Sequence, residues 1–302
     1  MFVHCSEMPI VTQVGFRFWD PARDVQVTDG LEVTARTVST FSQTFKAFKT
    51  TSGNYAFHGL PGLHDVEYPE EFPAGPPART RAKLIIEVKD IQRNFLPAAF
   101  LFDEELPLAY GGIYRSSVFE GMYPSVPPDS GSPLFYLLSA PTRQPMPGMA
   151  VVRCQLKDYD TDRPASHALI EIGVNGKKWF GMADKDGAAA IYFPYPPIDA
   201  AYSGTASPPV SISRSLRSRK WPLSIRIAYS PDSVELLAKE AIPELRSILR
   251  QHPAYIWPQD PAGPLVTAAV FDMDGELAYG HEVVLRTGTK SELYLQSVPT
   301  SP

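Results

Sequence analysis

The residues of this chain best placed to do chemistry are acids crowded into short segments. Asp158, Asp160 and Asp162 follow an apolar run, and Glu171 comes soon after. Several oxygens on a tight loop are what Ca²⁺ requires. This loop lacks the glycine on which an EF-hand turns, because Arg163 and Pro164 stand in its place. An Asx-rich hairpin turn, in which the side chains bond their own backbone, accounts for the same residues. Asp184 and Asp186 read the same way. The histidines are His4, His58, His64, His167, His252 and His281. None stands in an H-x-x-E or H-E-x-x-H pattern, and no C-x-x-C occurs, which disfavours a zinc peptidase or a zinc finger. His58 and His64 flank a glycine-containing loop and read as exposed loop histidines rather than a shared metal site. Cys154 lies inside an alternating run and reads as a small buried hydrophobe rather than a nucleophile. No G-x-S-x-G elbow, Walker A loop or G-x-G-x-x-G loop is present. The expectation is no catalytic residue, no cofactor and no metal.

One motif argues the other way. Val270–Leu277, VFDMDGEL, resembles the first motif of haloacid-dehalogenase-type phosphatases, hydrophobic residues followed by D-x-D-G. The resemblance implies Asp272 as nucleophile and Asp274 as general acid, with Mg²⁺ held between carboxylates. That fold needs a long parallel α/β domain after the motif, and only residues 276–302 follow here. Taken alone, the residues predict a strand followed by an Asp-Gly hairpin turn.

Surface chemistry is the alternative to a catalytic site. Between Pro194 and Lys220 lies a long stretch without periodicity, of the kind that is functional or disordered in a compact domain. It ends in Arg214, Arg217, Arg219 and Lys220, with Trp221 beside them. Such cations can meet phosphate or an acidic partner, but one neighbouring aromatic is no stacking platform for bases. Leu134–Leu138 is apolar within a proline-rich connector, and its Phe135 and Tyr136 suit a contact surface. Arg214, Arg217, Arg219, Lys220, Trp221, Phe135 and Tyr136 are therefore the candidate partner-binding residues.

Composition bounds what must position these groups. A chain of 302 residues, 44% apolar and 20% charged, has enough apolar side chains for two or three cores. A net charge of −5 gives no general attraction to nucleic acid or to an anionic membrane. The two cysteines, Cys5 and Cys154, do not make a disulfide framework and read as reduced thiols. The N-terminus shows no secretory pattern, and no apolar run approaches the ~18 residues of a membrane span. The expected location is the cytoplasm, or a particle assembled in it. The 31 prolines remove backbone donors, so short strands and stiff connections are expected over long helices.

Periodicity divides the chain into four parts. Residues 1–102 form a first β-sandwich module, with strands at Gly15–Asp20, in LEVTART, at Phe45–Lys49, after the Ser52-Gly53-Asn54 turn, at Lys83–Val88 and at Phe95–Phe102. Residues 103–148 are a Pro/Gly-rich connector, whose Phe119, Tyr123, Phe135 and Tyr136 suit it to lie on neighbouring surfaces. Residues 149–229 form a second module, closing with Leu223–Tyr229. Residues 230–302 hold a helical segment over Ser233–Gln251, split or kinked at Pro243, then strands at Leu265–Phe271 and Glu282–Arg286 with turns at Gly275 and Gly280. TTSGNYAFHGLPG and ADKDGAAAIYFPYP are similar enough to suggest two related sandwiches.

The second module resembles the carboxypeptidase regulatory-like domains, transthyretin-like β-sandwiches. The opening G-x-V-x-D of that family stands here as Cys154-Gln155-Leu156-Lys157-Asp158, with Cys154 in the place of glycine. Its turn and second strand correspond to Asp162-Arg163-Pro164 and Ala168–Ile172. Its T-D-x-x-G-x-F turn corresponds to Ala183–Gly187, with Ala189, Ile191 and Phe193 beyond. The resemblance covers about a quarter of the chain. It implies a scaffold or binding role without catalytic residues. The sequence thus predicts a mainly β protein: two transthyretin-like or Ig-like antiparallel sandwiches, a short helical linker and a C-terminal β-hairpin. The expected function is non-enzymatic, making protein–protein contacts in a larger assembly or a homo-oligomer, with a phage-tail-like contractile injection particle as the example. The rival from another class is a module binding carbohydrate or another small ligand through the loops at one sandwich end.

Overall fold

Alternation of buried and exposed side chains decides where each strand lies. It can be followed over residues 14–38, 43–61, 80–106, 135–197, 219–237, 242–259 and 268–298, which the computed structural model describes. The chain is mainly β.

The first sandwich is built from β1 (Val14–Phe16), β2 (Phe18–Asp20), β3 (Val25–Gln26), β4 (Leu31–Thr37), β5 (Thr44–Lys46), β6 (Phe48–Lys49), β7 (Tyr55–Phe57), β8 (Thr80–Asp90), β9 (Ala98–Leu106) and β10 (Phe135–Tyr136). One sheet runs in the order β5-β4-β8-β9. The opposite face is two small sheets, β1-β7-β6 and β10-β2-β3. The run Val14–Asp20 breaks at Arg17, so β1 serves one small sheet and β2 the other. The run after Gln43 breaks at Ala47 in the same way: β5 pairs with β4, and β6 with β7. Phe16, Phe18, Phe57 and Phe102 are fully buried between the sheets.

The second sandwich begins with β11 (Met149–Asp158), β12 (Leu169–Val174), β13 (Lys177–Met182), β14 (Ala188–Pro194) and β15 (Lys220–Ala228). The acids at its corners are turn residues. Asp158 Oδ1 accepts from the amides of Asp160 and Thr161, each at 2.9 Å. Asp184 Oδ1 accepts from Asp186 and Ala188 at the same distance. These are the Asx turns the sequence predicts, with the carboxylates spent on backbone donors. Gly187 closes the second turn at φ +80°, and a Cβ there would meet the Leu156 carbonyl oxygen at 2.4 Å. Gly187→Ala should therefore cost about 2–4 kcal/mol, combining left-handed backbone strain with a steric clash. Urea denaturation should show it as a lower midpoint at unchanged slope.

The C-terminal part departs from the expected helix and hairpin. Pro243 has no amide and disfavours helix in the residue before it, so Ser233–Gln251 cannot wind continuously. One 3-10 turn forms at Pro231–Ser233, and β16 (Leu236–Leu237) pairs with β17 (Ile242–Pro243). Among the described residues of this run α1 (Leu245–Leu249) is the α-helical part, capped by Glu244, whose Oε2 accepts the Ser247 amide at 2.7 Å. Then come β18 (Tyr255–Trp257), β19 (Asp272–Ala278), β20 (Val283–Leu285) and β21 (Leu293–Gln296). The strand expected over 265–271 starts later: Val270 makes an isolated bridge to Ile256, and 265–267 lie outside the described residues.

These last strands do not form the expected hairpin of their own; they complete the second sandwich. β19 adds to one sheet in the order β13-β12-β15-β19. β20 and β21 both lie parallel to β11, side by side along its free edge, and β18 pairs with β21. Ala150, Val152, Cys154 and Leu156 of β11 face Ile170, Ile172, Ile225 and Ile227 across the core. Burial pushes the Cys154 thiol up to about 12, which makes it the packing residue the sequence predicts.

Candidate functional site

Among the described site residues, Phe135 and Tyr136 belong to the first core and Trp221 packs on the second. Arg214 and Arg217 lie outside the described residues, as do Cys5, His4, His64, Phe119 and Tyr123. Phe135 does not serve a contact surface. It is 4% exposed, pairs with Phe18 in the sheet and lies 4.5 Å from the Phe100 ring. Tyr136 is half-buried against the same core. An apolar run long enough to make a strand was recruited into the sandwich, because burying a phenylalanine stabilises by about 1.5–3 kcal/mol.

Arg219, Lys220 and Trp221 stay at the surface at one end of the second sandwich. Lys220 pairs with Glu276 at 2.6 Å across the strands. Trp221 lies 5.7 Å from the Tyr195 ring, which lies 4.7 Å from Tyr279. The Arg219 carbonyl accepts the Tyr279 amide, and the Tyr195 hydroxyl accepts the Gly280 amide. This small aromatic end cap marks both roots of the segment 198–218.

Asp272 and Asp274 are strand residues, and Gly275 lies inside β19 rather than in a turn. With period two, Asp272, Asp274 and Glu276 point outward while Met273, Gly275 and Leu277 point to the core. Asp272 pairs with Arg226 across the sheet. Glu171 and Lys178 make a similar pair at 2.9 Å. The acidic motif is thus part of a charged outer face with complementary cross-strand partners.

The residues that sequence reasoning missed sit where the two sandwiches meet. Arg143 donates through Nη1 to Asp20 Oδ1 at 3.1 Å and to Ser139 Oγ at 2.8 Å, and through Nη2 to Asp20 Oδ2. Its side chain is 6% exposed and that of Asp20 2%. The guanidinium lies 5.0 Å from the Phe95 ring centre and 5.4 Å from that of Tyr192. The Tyr192 hydroxyl donates to the Arg143 carbonyl and accepts from Arg153. Ala22, Val151, Ala190 and Tyr192 pack together around this node. One arginine thus joins β2, the segment before β11 and the outer face of β14. The hint was available: Arg143 is the only charged residue between Asp129 and Arg153.

Beside the node is a cleft of about 580 Å³, lined among others by Arg93, Phe95, Pro141, His167, Asp184 and Ile242. His167 has no hydrogen-bond partner for Nδ1, and burial lowers its pKa despite the Asp184 charge. The fold therefore favours neutral imidazole. Stability is fully present above the ordinary value of 6.5 and is lost as pH falls below it through the lowered folded value. The φ of His167 is +61°, a conformation that asparagine tolerates. His167→Asn should flatten the fall in urea midpoint as pH drops below 6.5. Among the described residues no three His, Cys, Asp or Glu side chains converge as a metal site.

The class is a mainly β protein of packed sandwiches joined by a buried ionic node. No family model matches the chain, and no curated protein does. Solved structures show slight overlap. The Bacillus anthracis TIE protein is 11% identical, with a TM-score of 0.23 over 95% of this chain and 34% of that one. The chain therefore spans about a third of that protein. The shaft pilin SpaA of Lactobacillus rhamnosus GG is 9% identical, with a TM-score of 0.24 over 96% of this chain and 100% of that one. A C-terminal fragment of the pilus adhesin SpaC from the same organism is 9% identical, with a TM-score of 0.21 over 96% and 100%. Overlap at this level carries nothing of their activities to this chain.

Proposed function

We propose that this is a non-enzymatic structural protein that holds contact surfaces for other protein subunits, or for copies of itself, in a larger assembly. The observation that carries the reading is the Arg143–Asp20–Tyr192 node, which commits buried charge to fixing one sandwich against the other. A second tie supports it. The excursion between β15 and β18 lays Leu245 and Ile248 on the core of the first sandwich. It is anchored to the second by Gln251, which donates to the His167 carbonyl and accepts from the Ser230 amide. Fixing two surfaces relative to each other is what an assembly subunit needs. We take 1–102 and 149–229 as the two modules, with the second as a carboxypeptidase regulatory-like sandwich. We place the protein in the cytoplasm or in a particle built there. No feature of the fold singles out a contractile injection particle.

The end cap of Arg219, Trp221, Tyr195 and Tyr279 is the contact surface we favour. Light scattering behind size exclusion, run alone and with native lysate, tests it. A defined oligomer or complex that Trp221→Ala dissolves supports the reading; a monomer with no protein partner removes it. The enzymatic alternative has its own check. Asp272→Asn should leave the urea midpoint nearly unchanged, since the Arg226 pair is more than half exposed and screened by solvent. Mg²⁺-dependent turnover of a phosphate ester that this variant abolishes would overturn the proposal.

A further inference from the structure

The outer face of the sheet β14-β11-β21-β18 is divided. Its β14 side is covered: Val151, Ala190 and Tyr192 pack with Ala22 of the first sandwich. The other half carries aromatic side chains. Register puts Lys157, Tyr294 and Trp257 in one cross-strand row, and Gln296 and Tyr255 in the next. Leu156, Leu293, Leu295 and Ile256 alternate with them and face the core, so the aromatic row faces outward. Tyr159 follows β11 and is 39% exposed; its ring lies 5.0 Å from Trp257 and 6.4 Å from Tyr294. Phe271, 44% exposed, stacks on Tyr255 at 4.3 Å.

Polar groups are set among these rings. Tyr294 donates to Asp162 Oδ1 at 3.2 Å, and Lys157 donates to the same oxygen at 3.1 Å. Gln296 donates to Asp160 Oδ1 at 3.0 Å. Lys290 lies 4.9 Å from the Tyr294 ring centre. Trp257 Nε1 is shielded from water and has no acceptor. An unmet buried donor of this kind costs about 1–3 kcal/mol.

We propose that this strip, Tyr159, Trp257 and Tyr294 with Asp160, Asp162 and Gln296, binds an uncharged carbohydrate chain. The inference is independent of the assembly reading. Aromatic faces carry negative quadrupole charge and attract the polarised C–H bonds on the flat side of a pyranose ring. The carboxylate–amide and carboxylate–phenol pairs offer acceptors and donors side by side, as neighbouring hydroxyls require. The Trp257 Nε1 donor is unsatisfied within the same cluster of rings. A protein partner fits less well, because interface centres are depleted in charge and this strip holds two carboxylates and two ammonium groups. Nucleic acid fits less well again. Its phosphates would face Asp160 and Asp162, and the Lys157 ammonium holds Asp162 below the usual carboxylate range, in its charged form.

Titration calorimetry of the whole chain with cellohexaose, maltohexaose and xylohexaose, and with an oligothymidine of similar length, tests the proposal. At least one hexasaccharide should bind. Tyr159→Ala and Trp257→Ala should each weaken it about tenfold, and Tyr159→Phe should hold it within about threefold. Trp221→Ala, in the end cap, should leave it unchanged. Tyr159 is an exposed turn residue, so its variant keeps the test valid if Trp257→Ala fails to fold. Three outcomes overturn the assignment: no hexasaccharide binds at millimolar concentration, binding is indifferent to Tyr159→Ala, or the oligothymidine binds and the same variant abolishes that binding.

Discussion

Replacing Arg143 by alanine is expected to destabilise the protein by about 3–5 kcal/mol, the usual cost of leaving one member of a buried ion pair without its partner. Asp20 would be left without its cation in a site where it is 2% exposed, with the Ala22 amide donating to it at 3.0 Å. The loss has a packing part as well, since the guanidinium lies between the Phe95 and Tyr192 rings. Arg143→Lys should recover little, because an ammonium cannot supply the planar fork that serves both oxygens of Asp20 and Ser139 together. Asp20→Ala should cost a similar amount, and the double variant less than the sum of the two. Chemical denaturation checks the energies. Limited proteolysis between Pro141 and Gly148 checks the coupling, since cleavage there should accelerate. A cost for Arg143→Ala below about 1 kcal/mol would mean that the node is wet and does not hold the sandwiches together.

Phe16→Ala should cost about 3–5 kcal/mol by opening a cavity at the centre of the first core. The ring is 1% exposed and touches four others: Phe100 at 5.5 Å, Phe57 and Phe102 at 6.0 Å, and Phe18 at 6.5 Å. Three of the four contacts are edge-to-face, each worth about 0.5–1.5 kcal/mol beyond its buried area. The neighbours belong to strands on both sides of the sandwich and cannot close the gap without breaking pairing. Phe16→Leu should cost far less, about 1–2 kcal/mol, because most of the volume remains. Hydrogen exchange adds a spatial test. Protection should fall in β4, β8 and α1, because Leu245 and Ile248 belong to the same core, and should fall less in β12 and β15. Equal loss in both sandwiches would show that they unfold as one unit.

Residue types and spacings alone predict no catalytic constellation, and the proposed function carries that expectation forward. The contact surface was harder to read. Lys220 is exposed and Trp221 partly so, whereas Phe135 is in the core. A short apolar run has the same composition whether it faces a partner or a neighbouring strand. The aromatic strip escaped notice because Tyr159, Tyr255, Trp257, Phe271 and Tyr294 come from four separate stretches. Only the parallel pairing of β21 with β11 brings them onto one face.

By itself the sequence determined what is local. Asp158, Asp184 and Asp90 bond amides within five residues of themselves, so their turns form wherever the chain goes. The alternation in Met149–Asp158 likewise specified a strand with one buried face. Pro243 also acts locally, and its effect on the run Ser233–Gln251 was stronger than the apolar periodicity suggested. The tertiary structure alone decided which strands pair, because β11 with β21 and β15 with β19 join residues far apart in the chain. Their register depends on how whole faces pack, not on any local preference. The same holds for Arg143, whose partner Asp20 lies 123 residues away. A charge is worth burying there only once both sandwiches exist to exclude the water.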